Sequence, residues 1–330
     1  MSGSLSNPSQ LLMRHADALS GSFLINPPAD GIMRQLQADG GLRLTAHGSD
    51  QPSVEQLRSG ERSENVVLFL PKSRARIAML IDLALSRTAI GGRTWLVGAK
   101  KEGIASAARQ FGLALTDGGT VRKTDAARHC MLFQAGPGDT ARSFDLDAYW
   151  ESFPVSLPGV DGGPHTLFSL PGVFARGRLD PGTELLLGHL QTSPGQKVLD
   201  FGCGAGPITL AAARGGARVT ALDSDLLAVL STRRTLAEAG LTGDVMVSDG
   251  FSQVNGSFDL IISNPPFHQG VQTTSQAAHG LIRQAPAYLK PGGSLLLVAN
   301  AFLDYPRVMQ ETFGRCHCVA EAGGYKVLKA

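Results

Sequence analysis

The chain has 330 residues, 43% of them hydrophobic, with 30 lysines and arginines against 28 aspartates and glutamates, which is enough for two domains with a core each. No apolar run reaches the 18 residues of a membrane span, and Met1-Ser2-Gly3-Ser4-Leu5 has neither the charged start nor the apolar core of a secretion signal, so a cytoplasmic protein is expected. The formal charge of +2 is modest for a protein that grips a long naked nucleic acid; it fits a substrate held by shape within a larger particle.

The first half alternates strand-like and helix-like runs: strands near 23–25, 42–46, 65–70 and 94–97, helices near 31–37, 54–58, 74–86 and 103–111, and a late strand near 131–133. In 74–86, Ile77, Leu80, Ile81, Ala84 and Leu85 recur at helical spacing and predict a core-facing side. Alternation of this kind predicts a parallel sheet with crossover helices. Residues 1–150 carry 17 basic against 14 acidic residues and the remainder 13 against 14, so phosphate attraction is expected on the first half. There Lys72, Arg74 and Arg76 cluster after a strand and are candidate nucleic-acid contacts.

Residues 154–170 hold Pro154, Pro158 and Pro164 with Gly159, Gly162 and Gly163 and are expected to break any regular element. The expected organisation is therefore a domain over 1–150, a linker over 151–170 and a second domain over 171–330. In the latter, a helix within 174–190 leads into strands near 197–201, 217–222, 244–248, 258–263 and 294–299, and a final antiparallel pair falls near 315–320 and 324–329. Gly182 and Thr183 either touch the methionyl end of a cofactor or mark an N-cap followed by a core helix.

Four features of the second half carry chemistry. Gln196-Lys197-Val198-Leu199-Asp200-Phe201 is a strand running into Gly202-Cys203-Gly204-Ala205-Gly206, a turn against which a nucleotide-like cofactor can lie close to the backbone. Asp223 ends the next strand, where a carboxylate can accept from ribose hydroxyls. Asp249 ends the third and can accept from an adenine amino group. Asp200 favours a cofactor with an ammonium over one with a pyrophosphate, and so S-adenosylmethionine over a dinucleotide. Asn264-Pro265-Pro266-Phe267-His268 then emerges from the fourth strand, 58 residues after Gly206. The Asn264 side-chain oxygen and the Pro265 carbonyl can accept the two N–H bonds of a planar amine. Pro265 and Pro266 stiffen the loop, Phe267 can stack on the flat group, and His268 is adjacent. These residues predict methyl transfer to an exocyclic or amide nitrogen.

Asn26-Pro27-Pro28 repeats the tripeptide in the first half, but Ala29 follows it and no glycine turn precedes it, so it reads as a structural turn in a unit without cofactor. Four cysteines, Cys130, Cys203, Cys316 and Cys318, read as reduced thiols; Cys316-His317-Cys318 is too cramped for zinc, and no metal is expected.

By these residues the second half resembles the class I S-adenosylmethionine-dependent methyltransferases. Asn-Pro-Pro-Phe-His, Leu170-Pro171-Gly172-Val173-Phe174, Leu179-Asp180-Pro181-Gly182-Thr183, Val298-Ala299-Asn300-Ala301-Phe302-Leu303 and Tyr325-Lys326-Val327-Leu328 are similar to the RsmC-type small-subunit ribosomal RNA guanine-N2 methyltransferases. For the first half the resemblance rests on layout and Leu70-Pro71-Lys72-Ser73. It implies an α/β protein of two tandem Rossmann-like methyltransferase domains, the second with a seven-stranded, mostly parallel sheet. The first would have lost its cofactor site and would support folding or RNA docking. The second would transfer methyl to N2 of one guanine of 16S rRNA, guanine 1207 in the family's numbering, acting on the small ribosomal subunit, with a monomer expected. Carried over by position, Asn264, Pro265 and Phe267 hold the amine, with Pro266 and His268 beside the substrate; Asp200, Gly202, Cys203, Gly204, Asp223 and Asp249 hold the cofactor, Cys203 through its backbone. Three other readings stay open: methylation of a glutamine amide in a translation factor, methylation of adenine N6, and a non-catalytic RNA-binding assembly factor.

Overall fold

The computed structural model describes residues 4–48, 50–115, 119–136, 142–174, 177–265 and 272–330, with backbone alone for 272–276. Pro266, Phe267 and His268 lie outside the described residues. The chain forms two compact units, Met1–Leu44 with Pro52–Tyr149, and Thr45–Gln51 with Trp150–Ala330.

The first unit is built on six strands: β1 (Phe23–Ile25), β2 (Gly40–Leu42), β3 (Ser63–Phe69), β4 (Thr88–Ala99), β5 (Val121–Ala127) and β6 (Cys130–Ala135). Their spatial order is β2-β1-β3-β4-β6-β5. The first four are parallel, and β6 and β5 turn back as an antiparallel pair. β5 escaped the sequence reading because none of its residues is buried, so it has no apolar alternation to detect. The expected core face of 74–86 is present: Ile77, Leu80, Ile81, Ala84 and Leu85 are all buried in a helix over Ile77–Arg87. The predicted strand over 42–46 pairs in this sheet only as far as Leu42; Leu44 and Ala46 remain buried, but from Thr45 the chain packs with the second unit.

In the second unit the stretch expected to be irregular opens with a β-hairpin, β7 (Glu151–Val155) and β8 (His165–Ser169), in antiparallel register with Phe153 opposite Leu167. The prolines and glycines fall where they do no harm. Pro154 lies in a strand with one free edge, where no ladder hydrogen bond need be lost, and the glycines fall in the connecting loop. The hairpin docks on the Leu226–Glu238 helix. There Phe168 N–H donates to Thr235 Oγ1 at 3.0 Å and Leu170 N–H to Ser231 Oγ at 3.1 Å, and the Arg234 guanidinium lies over the rings of Trp150 and Phe168.

The remaining strands are β9 (Lys197–Phe201), β10 (Arg218–Asp223), β11 (Asp244–Val247), β12 (Phe258–Ser263), β13 (Leu289–Asn300), β14 (His317–Ala322) and β15 (Tyr325–Lys329). They form one sheet in the order β11-β10-β9-β12-β13-β15-β14. Only β15 runs against its neighbours, the predicted arrangement. Central strands read as continuous apolar runs because both faces are covered: Leu199, Ile261, Leu295 and Leu297 enter one core, while Val198, Leu260, Ile262 and Leu296 enter the other. The order places β9 between β10 and β12. The turns after those three strands therefore open at one edge of the sheet, where open α/β folds bind ligands.

Candidate active site

The turn after β9 is shaped by positive backbone angles. Gly202, Gly204 and Gly206 have φ of 86°, 56° and 88°, a region that side chains rarely adopt. Gly206 is also crowded: a Cβ there would stand 3.1 Å from the Thr232 side chain. From Pro207 the chain enters a helix over Pro207–Arg214, with proline at the position where its missing N–H is harmless. The turn is braced from the Leu226–Glu238 helix, where the Thr232 hydroxyl donates to the Gly204 carbonyl and the Thr235 hydroxyl to the Ala205 carbonyl, each at 3.0 Å. Ser231, Thr232 and Thr235 are fully buried. Sequence reasoning missed them; the available signal was a group of small hydroxyls on the inward side of an amphipathic helix.

A cavity of about 770 Å³ opens at this edge, lined among others by Gly202, Gly204, Asp223, Asp249, Asn264 and Pro265. That volume suits a nucleoside-sized cofactor with part of a second planar group. Phe251 lines it and stacks on Tyr288 at 4.2 Å between ring centroids. Asp223 is held by the Gly204 N–H at 3.1 Å and the Asp225 N–H at 3.0 Å. With Asp223, Asp225 and Asp249 on its wall, the cavity welcomes hydroxyl and amino donors and repels a pyrophosphate.

Asp200 and Cys203 do not line this cavity. Asp200 is fully buried; its Oδ2 accepts from the Thr209 hydroxyl, and its Oδ1 has no partner among the described residues. Burial, above all, pushes its carboxyl up to about 7, with the nearby Asp223 adding to the rise and the Thr209 hydroxyl opposing it. An orphaned buried acceptor next to the glycine turn fits a cofactor with a cationic end. Cys203 is buried against Ala221, Val229, Leu236 and Val245, and its N–H donates to the Leu222 carbonyl. Burial raises its thiol well above the ordinary range. It acts as a packing residue within the turn.

Asn264 leaves the end of β12 with its amide oriented. Its Nδ2 donates to Asp180 Oδ2 at 2.9 Å and to Thr183 Oγ1 at 2.7 Å, while its buried Oδ1 has no partner among the described residues. Asp180 Oδ2 also accepts the Thr183 N–H, capping the helix over Pro181–Leu187. Neither Gly182 nor Thr183 lines the cavity: a Cβ at Gly182 would press on Asp180 and the Tyr325 ring, and Thr183 is engaged with Asn264.

The Thr45–Gln51 segment reaches the same edge, and nothing in the sequence pointed to it. Thr45 bridges Asp225, Ala46 N–H donates to the Ser224 carbonyl at 2.7 Å, and Gly48 N–H donates to Asp249 Oδ2 at 2.8 Å.

In the first unit Lys72 and Arg74 are exposed, but Arg76 is 9% exposed. The expected three-residue patch therefore presents two cations, because Arg76 turns inward at the start of the helix beginning at Ile77. In the first Asn-Pro-Pro copy, Arg43 donates to the Pro27 carbonyl at 3.0 Å and to the Pro28 carbonyl at 3.2 Å; these acceptors are occupied from within the chain. Among the described residues no group of His, Cys, Asp or Glu is arranged to hold a metal, and no helix is long and apolar enough to cross a membrane.

The family described as methyltransferase small domain matches residues 164–329, and its N-terminal domain matches residues 9–153. Relatives from Pseudomonas entomophila (strain L48) and Pseudomonas aeruginosa (strain LESB58), both called ribosomal RNA small subunit methyltransferase C, are 41% and 40% identical over 336 residues; each alignment covers 98% of this chain and 98% of the relative. Among solved structures, the T. thermophilus 16S rRNA N2 G1207 methyltransferase (RsmC), in complex with AdoMet and guanosine, is similar with a TM-score of 0.84 and 27% identity, covering 99% of this chain and 92% of that one.

Proposed function

Since this chain belongs to the ribosomal RNA small subunit methyltransferase C family, we propose that it transfers a methyl group from S-adenosylmethionine to the exocyclic N2 of a guanine in 16S rRNA. The observation that carries the reading is the Asn264 Oδ1, a buried acceptor without a partner among the described residues, belonging to a residue on the wall of a cavity that the glycine turn also lines. The target nucleotide is proposed to be the one equivalent to G1207, the base named for the T. thermophilus relative. The protein is further proposed to act as a cytoplasmic monomer on the small ribosomal subunit.

The amine of guanine is a poor nucleophile because its lone pair is delocalised into the ring. Asn264 Oδ1 and the Pro265 carbonyl would accept its two N–H bonds, fix the nitrogen and favour its rehybridisation as it attacks. Bound S-adenosylmethionine supplies an electrophilic methyl group. Asp223 and Asp249 would accept from its hydroxyl and amino groups, and Asp200, buried behind the glycine turn, would attract its ammonium through space. Phe267 is assigned to stack on the base, with Pro266 and His268 beside it. Once nitrogen carries the methyl group its proton is acidic and leaves to water, so no strong general base is needed and positioning carries most of the catalysis. A base inside a stem must swing out to reach Asn264.

The first unit, residues 1–150, is proposed to dock RNA or support folding without holding cofactor, with the second domain over 171–330 carrying catalysis. The occupied carbonyls of Pro27 and Pro28 support that division.

Labelled S-adenosylmethionine, offered separately with unmethylated small subunits, protein-free 16S rRNA and a translation factor, tests the reading. N2-methylguanine at one site is the expected product, and the preferred RNA form identifies the working substrate. Label in a glutamine side chain would move the enzyme to amide methylation. No label anywhere, despite bound cofactor, would leave an assembly factor.

A further inference from the structure

The two N–H bonds of the Asn264 amide are both taken, one by Asp180 Oδ2 and one by Thr183 Oγ1, and this fixes more than a rotamer. An amide side chain has two faces of similar shape and opposite polarity. Which one meets the substrate decides whether Asn264 accepts from an amine or repels it. A carboxylate can only accept. With Asp180 on one side, the amide must turn its nitrogen towards Asp180 and leave its oxygen pointing away. A flipped amide would set Oδ1 against the carboxylate, lose the hydrogen bond to Asp180 and present N–H groups to the N–H groups of the substrate. The Thr183 hydroxyl, 3% exposed, seals the second N–H.

We propose that Asp180 is a positioning residue that locks the amide polarity of Asn264, with the Thr183 hydroxyl holding the second N–H in place, so that the site accepts a substrate amine. The proposal rests on the reading of Asn264 as the amine acceptor. It separates two duties of Asp180, which also caps a helix by accepting the Thr183 N–H at 3.0 Å. Asparagine caps helices as well as aspartate does, so Asp180→Asn keeps the cap but loses the enforced polarity.

The test is a polarity swap in the full chain, with methyl transfer to unmethylated small subunits and cofactor affinity measured together. Asp180→Asn is expected to lower kcat about tenfold, because either face of Asn264 can now turn to the cavity, with cofactor affinity within about twofold of the parent. Asn264→Asp is expected to lose at least a hundredfold, because two carboxylates then confront each other. In the double variant the introduced amide donates to the introduced carboxylate, whose second oxygen faces the cavity as an acceptor. Its kcat is expected to recover at least tenfold over Asn264→Asp alone. Thr183→Ser, which keeps the hydroxyl, is expected to retain activity where Thr183→Val loses it. Additive losses in the double variant would overturn the proposal and leave Asp180 as a helix cap, a role that cannot produce rescue. If Asn264→Ala and Asn264→Asp both kept parental turnover, the assignment of Asn264 itself would fall, a different failure from the first.

Discussion

The Gly48 peptide N–H donates to Asp249 Oδ2 at 2.8 Å, joining residues 201 positions apart. Gly48 lies in sequence matched by the N-terminal family domain, yet the Thr45–Gln51 segment packs as part of the second unit. His47 and Asp50 close the segment with a pair of backbone hydrogen bonds at 3.0 Å, and Gly48 takes φ +58°. The backbone N–H is thereby aimed at a carboxylate on the cavity wall and restrains it. Exchanging the Gly48 amide for an ester, with glycolic acid in place of glycine, removes the N–H and keeps the φ of +58°; it is expected to weaken binding of S-adenosylhomocysteine about five- to tenfold, roughly 1 kcal/mol for one exposed charge-assisted hydrogen bond. Titration calorimetry measures this. In an Asp249→Ala background the same change should have no further effect; an equal loss there would mean that the turn acts on something other than Asp249.

Asn264→Ala removes the unpartnered acceptor and leaves the glycine turn, Asp223 and Asp249 in place. The expected loss in methyl transfer is about 10²- to 10³-fold, the scale for one preorganised hydrogen-bonding group at a reacting centre, with cofactor affinity within about twofold. Single-turnover transfer to unmethylated small subunits, paired with calorimetry on the cofactor product, separates the two quantities. Near-parental turnover would remove Asn264 from the chemistry.

The parts of this site legible in the sequence are those dictated by neighbours along the chain. Val198 and Leu199 ending in three glycines could only be a strand meeting a tight turn, and Asn264-Pro265 had to follow the apolar run of β12. The parts that were not legible depend on what the fold brings together. Thr232 and Thr235 carry no sequence signal of their own, and their role is visible only once Gly204 and Ala205 lie against them. Asp180 stood in the sequence only as part of the Leu179–Thr183 run, and only the fold sets it beside a residue 84 positions away. The 151–170 stretch misled because proline and glycine were weighed as breakers without regard to position, whereas at a free edge and in a loop they are compatible with a hairpin. Arg76 misled because a charge cluster in sequence is not a charge cluster in space: one turn of helix carries it inward.

Lys72 and Arg74 are the exposed remainder of that cluster. Reversing both, Lys72→Glu with Arg74→Glu, is expected to weaken RNA binding without changing cofactor affinity. If each meets a phosphate, the slope of log affinity against log salt should fall by about 2. Filter binding across a salt series measures this. A slope equal to that of the parent would place the RNA surface elsewhere, and Arg76→Ala is expected to act through stability instead, because its side chain is buried.

Asp200 links cofactor binding to pH. Its carboxyl titrates near 7 in the folded protein against an ordinary 3.8, burial being the main cause. Between about pH 4 and pH 7 the folded chain therefore holds a proton that the unfolded chain has released. Stability should fall as pH rises through that window, by at most about 1.4 kcal/mol per pH unit, and level off above it. Asp200→Asn should remove that slope in denaturant titrations. An ammonium held close to Asp200 across the glycine turn reverses the balance by favouring the carboxylate, so cofactor binding at pH 6 is expected to release close to one proton, and affinity should rise with pH until about 7. Calorimetry at pH 6 in two buffers of different ionisation enthalpy counts the proton directly. No release at pH 6 would show that the ammonium of the cofactor lies elsewhere and that the orphaned Oδ1 serves only the interior of the turn.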